Sequence, residues 1–292
     1  MQCSFKGLGT ALVTPFRQDG SIDWDALARL VESQVNAGVD FLVPCGTTGE
    51  APTLTKVEQL LVVRSIIAQV QGSVPVIPGT GSNSTAHAVE MTREVMSLGA
   101  DGALVVVPYY NKPSQFGMIE HFTAVANVGL PIIVYNIPSR TGVNLLPDTL
   151  YHLAAHKNIV AVKDATGDME QAKENFRLCG EMLTYLCGDD ARTLEFIEGG
   201  GHGVISVVSN LLPREMKKLV SMAQGGSWQS AAEAHMKLLP LMEAIFTEVN
   251  PSGIKWALHE DGAMEPTLRL PMVIPTKENQ AKILDAMVAF GF

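Results

Sequence analysis

Short apolar runs rich in β-branched residues alternate with longer stretches of helical period along most of the chain. The runs are Gly9–Val13, Phe41–Pro44, Val74–Ile77, Gly102–Val107, Pro131–Tyr135, Ile159–Val162, Leu183–Leu186 and Val204–Val207. Most carry few charges, as expected of strands covered on both faces. The stretches between them open on helix-start signals. Ser21-Ile22-Asp23 precedes Trp24–Ala37, and Thr55-Lys56-Val57-Glu58 fits a capping box before Gln59–Val70. Asn83-Ser84-Thr85 opens Ala86–Leu98, Pro147 starts Asp148–Ala155, and Gly38, Gly72 and Gly99 stand where left-handed helix ends belong. Eight β/α units of roughly 20–35 residues each predict a closed (β/α)8 TIM barrel. An open doubly wound sheet has the same rhythm, because alternation does not by itself demand closure.

After the eighth run comes a helix over Leu212–Gln224, and then the strand rhythm stops. Trp228–Thr247, Ile254–Glu260 and Lys277–Phe290 all carry helical patterns. A boundary near Gly225-Gly226 therefore divides a catalytic barrel, 1–225, from a small C-terminal helical domain, 226–292.

Composition supports this picture and narrows the chemistry. The 292 residues are 47% hydrophobic and only 17% charged, enough apolar material for a large core. A net charge of −9 and the absence of any basic run longer than Lys217-Lys218 exclude a nucleic-acid surface. A small anionic substrate must then be met by local positive groups. The cysteines at 3, 45, 179 and 187 show no paired spacing and predict reduced thiols in a reducing compartment. The apolar stretch Gly7–Phe16 is broken by Pro15 and followed by Arg17 and Asp19, so it predicts a first strand, not a signal peptide. No run approaches the roughly 18 apolar residues of a membrane span. The expectation is a soluble, cytoplasmic protein.

Barrel enzymes carry their reacting groups at the C-terminal ends of strands and in the loops that follow. Those ends hold Gly46-Thr47-Thr48-Gly49-Glu50, Pro108-Tyr109-Tyr110-Asn111, Tyr135 through Gly142, and Lys163-Asp164. Lys163 directly ends the run Ile159–Val162. Burial there disfavours the ammonium and yields the free amine that attacks a ketone; the competing role is a strand-end lysine reaching solvent or pairing with Asp164. Tyr135 ends the neighbouring strand and can move protons, or simply fill the lumen. Thr47 and Thr48, set between glycines, offer a cradle for a carboxylate, or cap a helix. Arg140 suits bidentate recognition of a carboxylate, or lies on the surface. Gly199-Gly200-Gly201-His202-Gly203 precedes the eighth run, at the opposite barrel end, and fits a tight helix-to-strand connection better than a phosphate nest. No Walker loop, no Gly-x-Gly-x-x-Gly after a strand, no His-Glu-x-x-His, no Gly-x-Ser-x-Gly and no histidine cluster occurs.

Taken together, Gly46–Glu50, Pro108–Pro113, Tyr135–Gly142 and Lys163–Asp168 resemble the dihydrodipicolinate synthase (4-hydroxy-tetrahydrodipicolinate synthase) family of pyruvate-dependent class I aldolases. The resemblance runs from about Gly7 to the C-terminus. It includes Gly188-Asp189-Asp190, Gly201–Ser206, Asn250-Pro251, Lys255-Trp256 and Leu268–Pro271, and the joint order and spacing are more specific than any single motif. It implies a lyase of lysine and diaminopimelate biosynthesis that condenses pyruvate with L-aspartate 4-semialdehyde, without metal or organic cofactor. Lys163 would form the imine, Tyr135 would act as acid and base, and Thr47 would link Tyr135 to Tyr110. In such enzymes this second tyrosine crosses a subunit interface, so Tyr110 would serve the neighbouring chain's site; the resemblance separately implies a homotetramer built as a dimer of dimers. Thr48 would hold the pyruvate carboxylate, Arg140 the carboxylate of the second substrate, and Gly188 and Ile205 would shape the pocket.

The resemblance further implies an effector site for L-lysine around Ala51, Lys56, Gln59, Asn83, His87 and Tyr109. Lysine-sensitive relatives carry a glutamate where His87 stands and histidines where Lys56 and Gln59 stand. Loss of a carboxylate and gain of an ammonium predict a weak or absent response to L-lysine. Related aldolases, N-acetylneuraminate lyase and 2-keto-3-deoxy sugar acid aldolases, share Lys163 and Tyr135 but differ around Tyr110 and Arg140. A non-catalytic barrel would be expected to lack Lys163, Tyr135 or Thr47, and this chain keeps all of them.

Overall fold

The computed structural model describes residues 5–292; the expectation for Cys3 lies outside them. Seven parallel strands form one sheet: β1 (Gly7–Ala11), β2 (Phe41–Val43), β3 (Ala103–Val106), β4 (Ile132–Asn136), β5 (Ile159–Asp164), β6 (Thr184–Cys187) and β7 (Gly203–Ser206). Their order is β2-β1-β7-β6-β5-β4-β3, which leaves β2 and β3 as the two ends.

The third apolar run lies between those ends and makes no continuous ladder. Single parallel bridges join Leu42 to Val76 and Gly79 to Leu104. Leu42 N donates to Pro75 O at 2.9 Å, Ile77 N to Leu42 O at 2.8 Å, and Leu104 N to Pro78 O at 2.9 Å. Pro75 and Pro78 have no N–H to donate, so a regular ladder is impossible and only isolated bonds remain. The segment nevertheless joins both neighbours. Seven ladder strands and one proline-interrupted segment thus take the places of the eight predicted strands, in a barrel and not an open sheet.

A small apolar cluster fills the lumen, with Phe41, Ile77, Leu104, Ile133, Tyr135, Leu186 and Ile205 among its members, and a much larger one lies between strands and helices. Gly9 makes the lumen packing possible: a Cβ there would stand 2.1 Å from the Phe41 ring.

The helices follow their sequence signals closely. Trp24–Ala37 is capped by Asp23, whose side chain accepts from Ala26 N, and ends at Gly38 in the left-handed conformation, φ 77°. The capping box of Thr55 and Glu58 is formed in full, although the helix begins at Lys56 and not at Gln59. Gly72 and Gly99 are left-handed as expected, φ 78° and 91°; the first follows a C-cap, Gln71, that is left-handed too, the second a right-handed one, Leu98. Gly199–Gly203 is the predicted tight connection: Gly201 N donates to Phe196 O and His202 N to Tyr185 O, leading directly into β7.

Beyond Gln224 the described chain is helical, over Trp228–Ile245, Ser252–Glu260 and Lys277–Phe290. Trp228–Ile245 packs on Pro213–Gln224 and on Lys277–Phe290. Among the described residues no helix is long and apolar enough to cross a membrane.

Candidate active site

The β4–β5 register sets Tyr135 opposite Lys163 and Asn136 opposite Asp164. Both members of the first pair are buried, with Lys163 only 5% exposed. The Lys163 Nζ lies 4.3 Å from the centroid of the Tyr135 ring. This decides against a lysine reaching solvent, and no ion pair with Asp164 forms: the Asp164 carboxylate instead accepts from Thr166 N and Oγ1 at 2.9 and 2.7 Å. Burial pushes the Lys163 amine down to about 8; the carboxylate of Asp190 opposes part of that shift. Asp190 is itself buried, and its Oδ2 accepts from Val207 N and Val208 N, each at 2.9 Å, at the end of β7.

Gly188 follows β6 directly and leaves room for the lysine. A Cβ at this position would stand 3.1 Å from Lys163 Cε and 2.7 Å from Ala165 Cβ. Ile205, fully buried on β7, belongs to the lumen cluster below the site.

Burial pushes the Tyr135 phenol up to about 12, while the Arg140 guanidinium and a hydrogen bond with Thr47 pull it back. Thr47 and Thr48 sit in the turn after β2, where Glu50 N donates to Thr47 O at 3.1 Å. The Asn250 amide donates to Thr48 Oγ1 at 3.0 Å, so the threonine hydroxyl keeps its own proton to offer elsewhere. Arg140 lies in a one-turn helix, Pro138–Thr141, with proline at its start and Gly142 at its end. Its Nη2 donates to Asn250 O at 3.1 Å, and the side chain remains exposed to the cleft.

That cleft has a volume of about 510 Å³. Thr47, Tyr135 and Arg140 line it together with Ala51, Gln59, His87 and Tyr109. Tyr110 does not: it is 86% exposed and holds a left-handed backbone, φ 72°, which non-glycine residues rarely adopt. Within one chain the structure therefore brings Lys163, Tyr135, Thr47, Thr48, Arg140 and Gly188 to one end of the barrel and leaves Tyr110 facing outward.

A family model described as the dihydrodipicolinate synthetase family matches residues 4–289. The chain belongs to the dihydrodipicolinate synthetase family. A 4-hydroxy-tetrahydrodipicolinate synthase of Geotalea daltonii is 49% identical over 284 residues, 97% of this chain and 98% of that relative. One of Citrifermentans bemidjiense is 48% identical over the same shares of both proteins. Among solved structures, dihydrodipicolinate synthase from Aquifex aeolicus matches with a TM-score of 0.96 at 43% identity, over 98% of both chains. The chloride-inhibited enzyme from Acinetobacter baumannii, solved with pyruvate, gives 0.97 at 39% identity over 99% of both.

Of the positions this family likeness assigned to an effector, four border the cleft and two do not. Lys56 Nζ is held by Glu90 and by Glu94, the latter at 3.0 Å, so its charge is already matched. Asn83 offers its backbone carbonyl to Asn111 Nδ2 at 2.9 Å. Lys56 is thus no free positive charge, and the expectation of weak lysine binding rests on His87 alone.

Sequence reasoning gave no role to Asn250, Asp190 or Glu50. Asp190 had a usable signal, an acidic residue just past a strand end at the functional face. Asn250 had none in the local pattern, because its partner Thr48 lies 202 residues away.

Proposed function

We propose that the chain condenses pyruvate with L-aspartate 4-semialdehyde through an imine on Lys163, the 4-hydroxy-tetrahydrodipicolinate synthase reaction of diaminopimelate and lysine biosynthesis. The observation that carries this reading is a buried lysine amine, lowered to about 8, against the ring of a tyrosine on the adjacent strand. The names borne by its full-length relatives support the same reaction.

Pyruvate enters with its carboxylate on Thr48. The Lys163 amine adds to the keto carbon, and the phenol of Tyr135 supplies the proton with which the carbinol oxygen leaves as water. The protonated imine withdraws electrons, so a methyl proton departs and an enamine forms. The enamine carbon attacks the aldehyde of the second substrate, whose carboxylate Arg140 holds. The substrate amino group then adds to the imine carbon and expels Lys163 as free amine. The imine is its own electron sink, and the scheme calls for no cofactor. Tyr110 serves the site of a neighbouring subunit in a homotetramer, a dimer of dimers; its exposure supports this. Residues 1–225 form the catalytic barrel and 226–292 a helical domain, and the enzyme works in the cytoplasm.

Incubation with pyruvate, reduction with borohydride and peptide mapping test the reading. A pyruvyl adduct on the Lys163 peptide is expected. An adduct on a different lysine, or none, overturns it.

A further inference from the structure

Two full charges are buried between the barrel and the C-terminal helices. Glu50 ends the turn that carries Thr47 and Thr48, and it forms an ion pair with Lys255, 205 residues further on. Neither side chain has measurable contact with solvent beyond 1%. Burying such a pair is costly, and apolar residues of similar volume would usually fill the space at least as favourably. What the charged pair has and an apolar pair lacks is direction.

Every oxygen of the Glu50 carboxylate is engaged. Oε1 meets Lys255 Nζ, and Oε2 accepts from the backbone N–H of Arg269 at 3.0 Å. Lys255 Nζ donates also to Thr267 O at 3.0 Å and lies 4.1 Å from the centroid of the Phe16 ring. The Arg269 guanidinium stands 4.5 Å from the same ring and binds Glu58, Gly20 O and Thr53 O. The carboxylate is therefore locked from both sides, on a residue whose backbone is left-handed, φ 54°.

The other anchors of the turn are uncharged: Asn250 Nδ2 donates to Thr48 Oγ1 at 3.0 Å, and Thr53 Oγ1 and Gln59 Nε2 donate to Glu50 O and Ala51 O at 3.1 and 2.9 Å. Glu50 N closes on Thr47 O, Ala51 N reaches Gly46 O at 3.3 Å, and Thr14 Oγ1 donates to Gly49 O at 2.7 Å. We propose that the Glu50–Lys255 pair is a positioning device that fixes the Gly46–Glu50 turn, keeping the Thr47 hydroxyl on the Tyr135 phenol and the Thr48 hydroxyl aimed at the pyruvate carboxylate. The inference rests on the pyruvate-imine reading of Lys163. Glu50 and Lys255 touch no substrate; they act through the two threonines.

The test compares the wild type with E50L/K255M, which removes both charges together and leaves neither unpaired. E50Q serves as the conservative variant: it keeps an acceptor for Lys255 but presents an N–H to the Arg269 N–H. Each is scored per site trapped by pyruvate and borohydride, so loss of folded protein drops out of the comparison. For the double variant, the KM for pyruvate is expected to rise about tenfold and kcat per trapped site to fall about tenfold, the effect of one misplaced hydrogen bond to a charged group. E50Q is expected to move both in the same direction by about threefold. The acid limb of the pH profile stays in place, because the surroundings of Lys163 are untouched. Wild-type KM and kcat per trapped site in the double variant, or in E50Q where the double variant does not fold, overturn the proposal and leave the imine reading standing. No adduct in the wild type overturns both.

Discussion

At the scale of single residues the chemistry depends on where one proton sits. Lys163 loses most of its hydration in the barrel wall, which penalises the ammonium and brings the amine down to about 8. Below that pH the nitrogen carries a proton and has no lone pair to add to a ketone; above it the amine is free. The kcat/KM for pyruvate should therefore rise about tenfold per pH unit below roughly 8 and then level. Tyr135, held near 12, remains a proton donor through that window. A profile flat from about pH 6 to 8 would mean that Lys163 is not the titrating nucleophile. The same scale bears on effectors. His87 lines the cleft at the position where the resemblance implies a carboxylate in lysine-sensitive enzymes, and Lys56, outside the lining, is paired with Glu90 and Glu94. L-lysine at about 1 mM should change the steady-state rate less than twofold, since a cation gains no new anionic partner there. Strong inhibition at submillimolar L-lysine rejects this.

At the scale of elements the site is a consequence of register. Parallel pairing places Tyr135 beside Lys163, and β6 then delivers Gly188 against the same lysine. The backbone of Gly188 is not left-handed, so alanine is conformationally acceptable there and only its methyl group matters. That methyl would press on Ala165 Cβ and Asp164 O as well as Lys163 Cε. Gly188→Ala should cost about 1–3 kcal/mol of stability, the usual range for overpacking, read as a lower midpoint of thermal or urea unfolding. It should also lower kcat/KM per folded chain by roughly 10²-fold through a displaced amine. An alanine variant with wild-type kinetics would show that the lysine does not need this space. Much at this scale was legible in the chain. Alternation marked the strands, strand ends marked Lys163 and Tyr135, and Thr55 with Glu58 marked a helix start that forms as written. The predicted third strand was less regular, and the cause is local: Pro75 and Pro78 lack the N–H groups of a ladder. Asn250 on Thr48 and Lys255 on Glu50 were not legible, because they join positions more than 200 residues apart whose local patterns are silent about each other.

At the scale of the whole molecule one assigned group is out of place. Tyr110 is exposed while Thr47 and Tyr135 line the cleft, so the proposed relay through Tyr110 would draw on a second chain. This can be read without a structure of the assembly. Consider Tyr135→Phe and Tyr110→Phe, each expected to be strongly impaired as a homo-oligomer. In a two-fold hybrid where Tyr110 acts on the neighbour, one site combines both lesions and the other has neither. Random mixing of equal amounts after dissociation and reassembly should then restore about a quarter of all sites to wild-type composition, because about half of the dimers are hybrid and each has one intact site. If Tyr110 acts within its own chain, every site in the hybrid still carries one lesion and no activity returns. Mixing without exchange of subunits serves as the baseline. Recovery of roughly a quarter of wild-type kcat assigns Tyr110 to the partner's site, whereas no recovery in a sample shown by native mass spectrometry to contain hybrids removes it from that role.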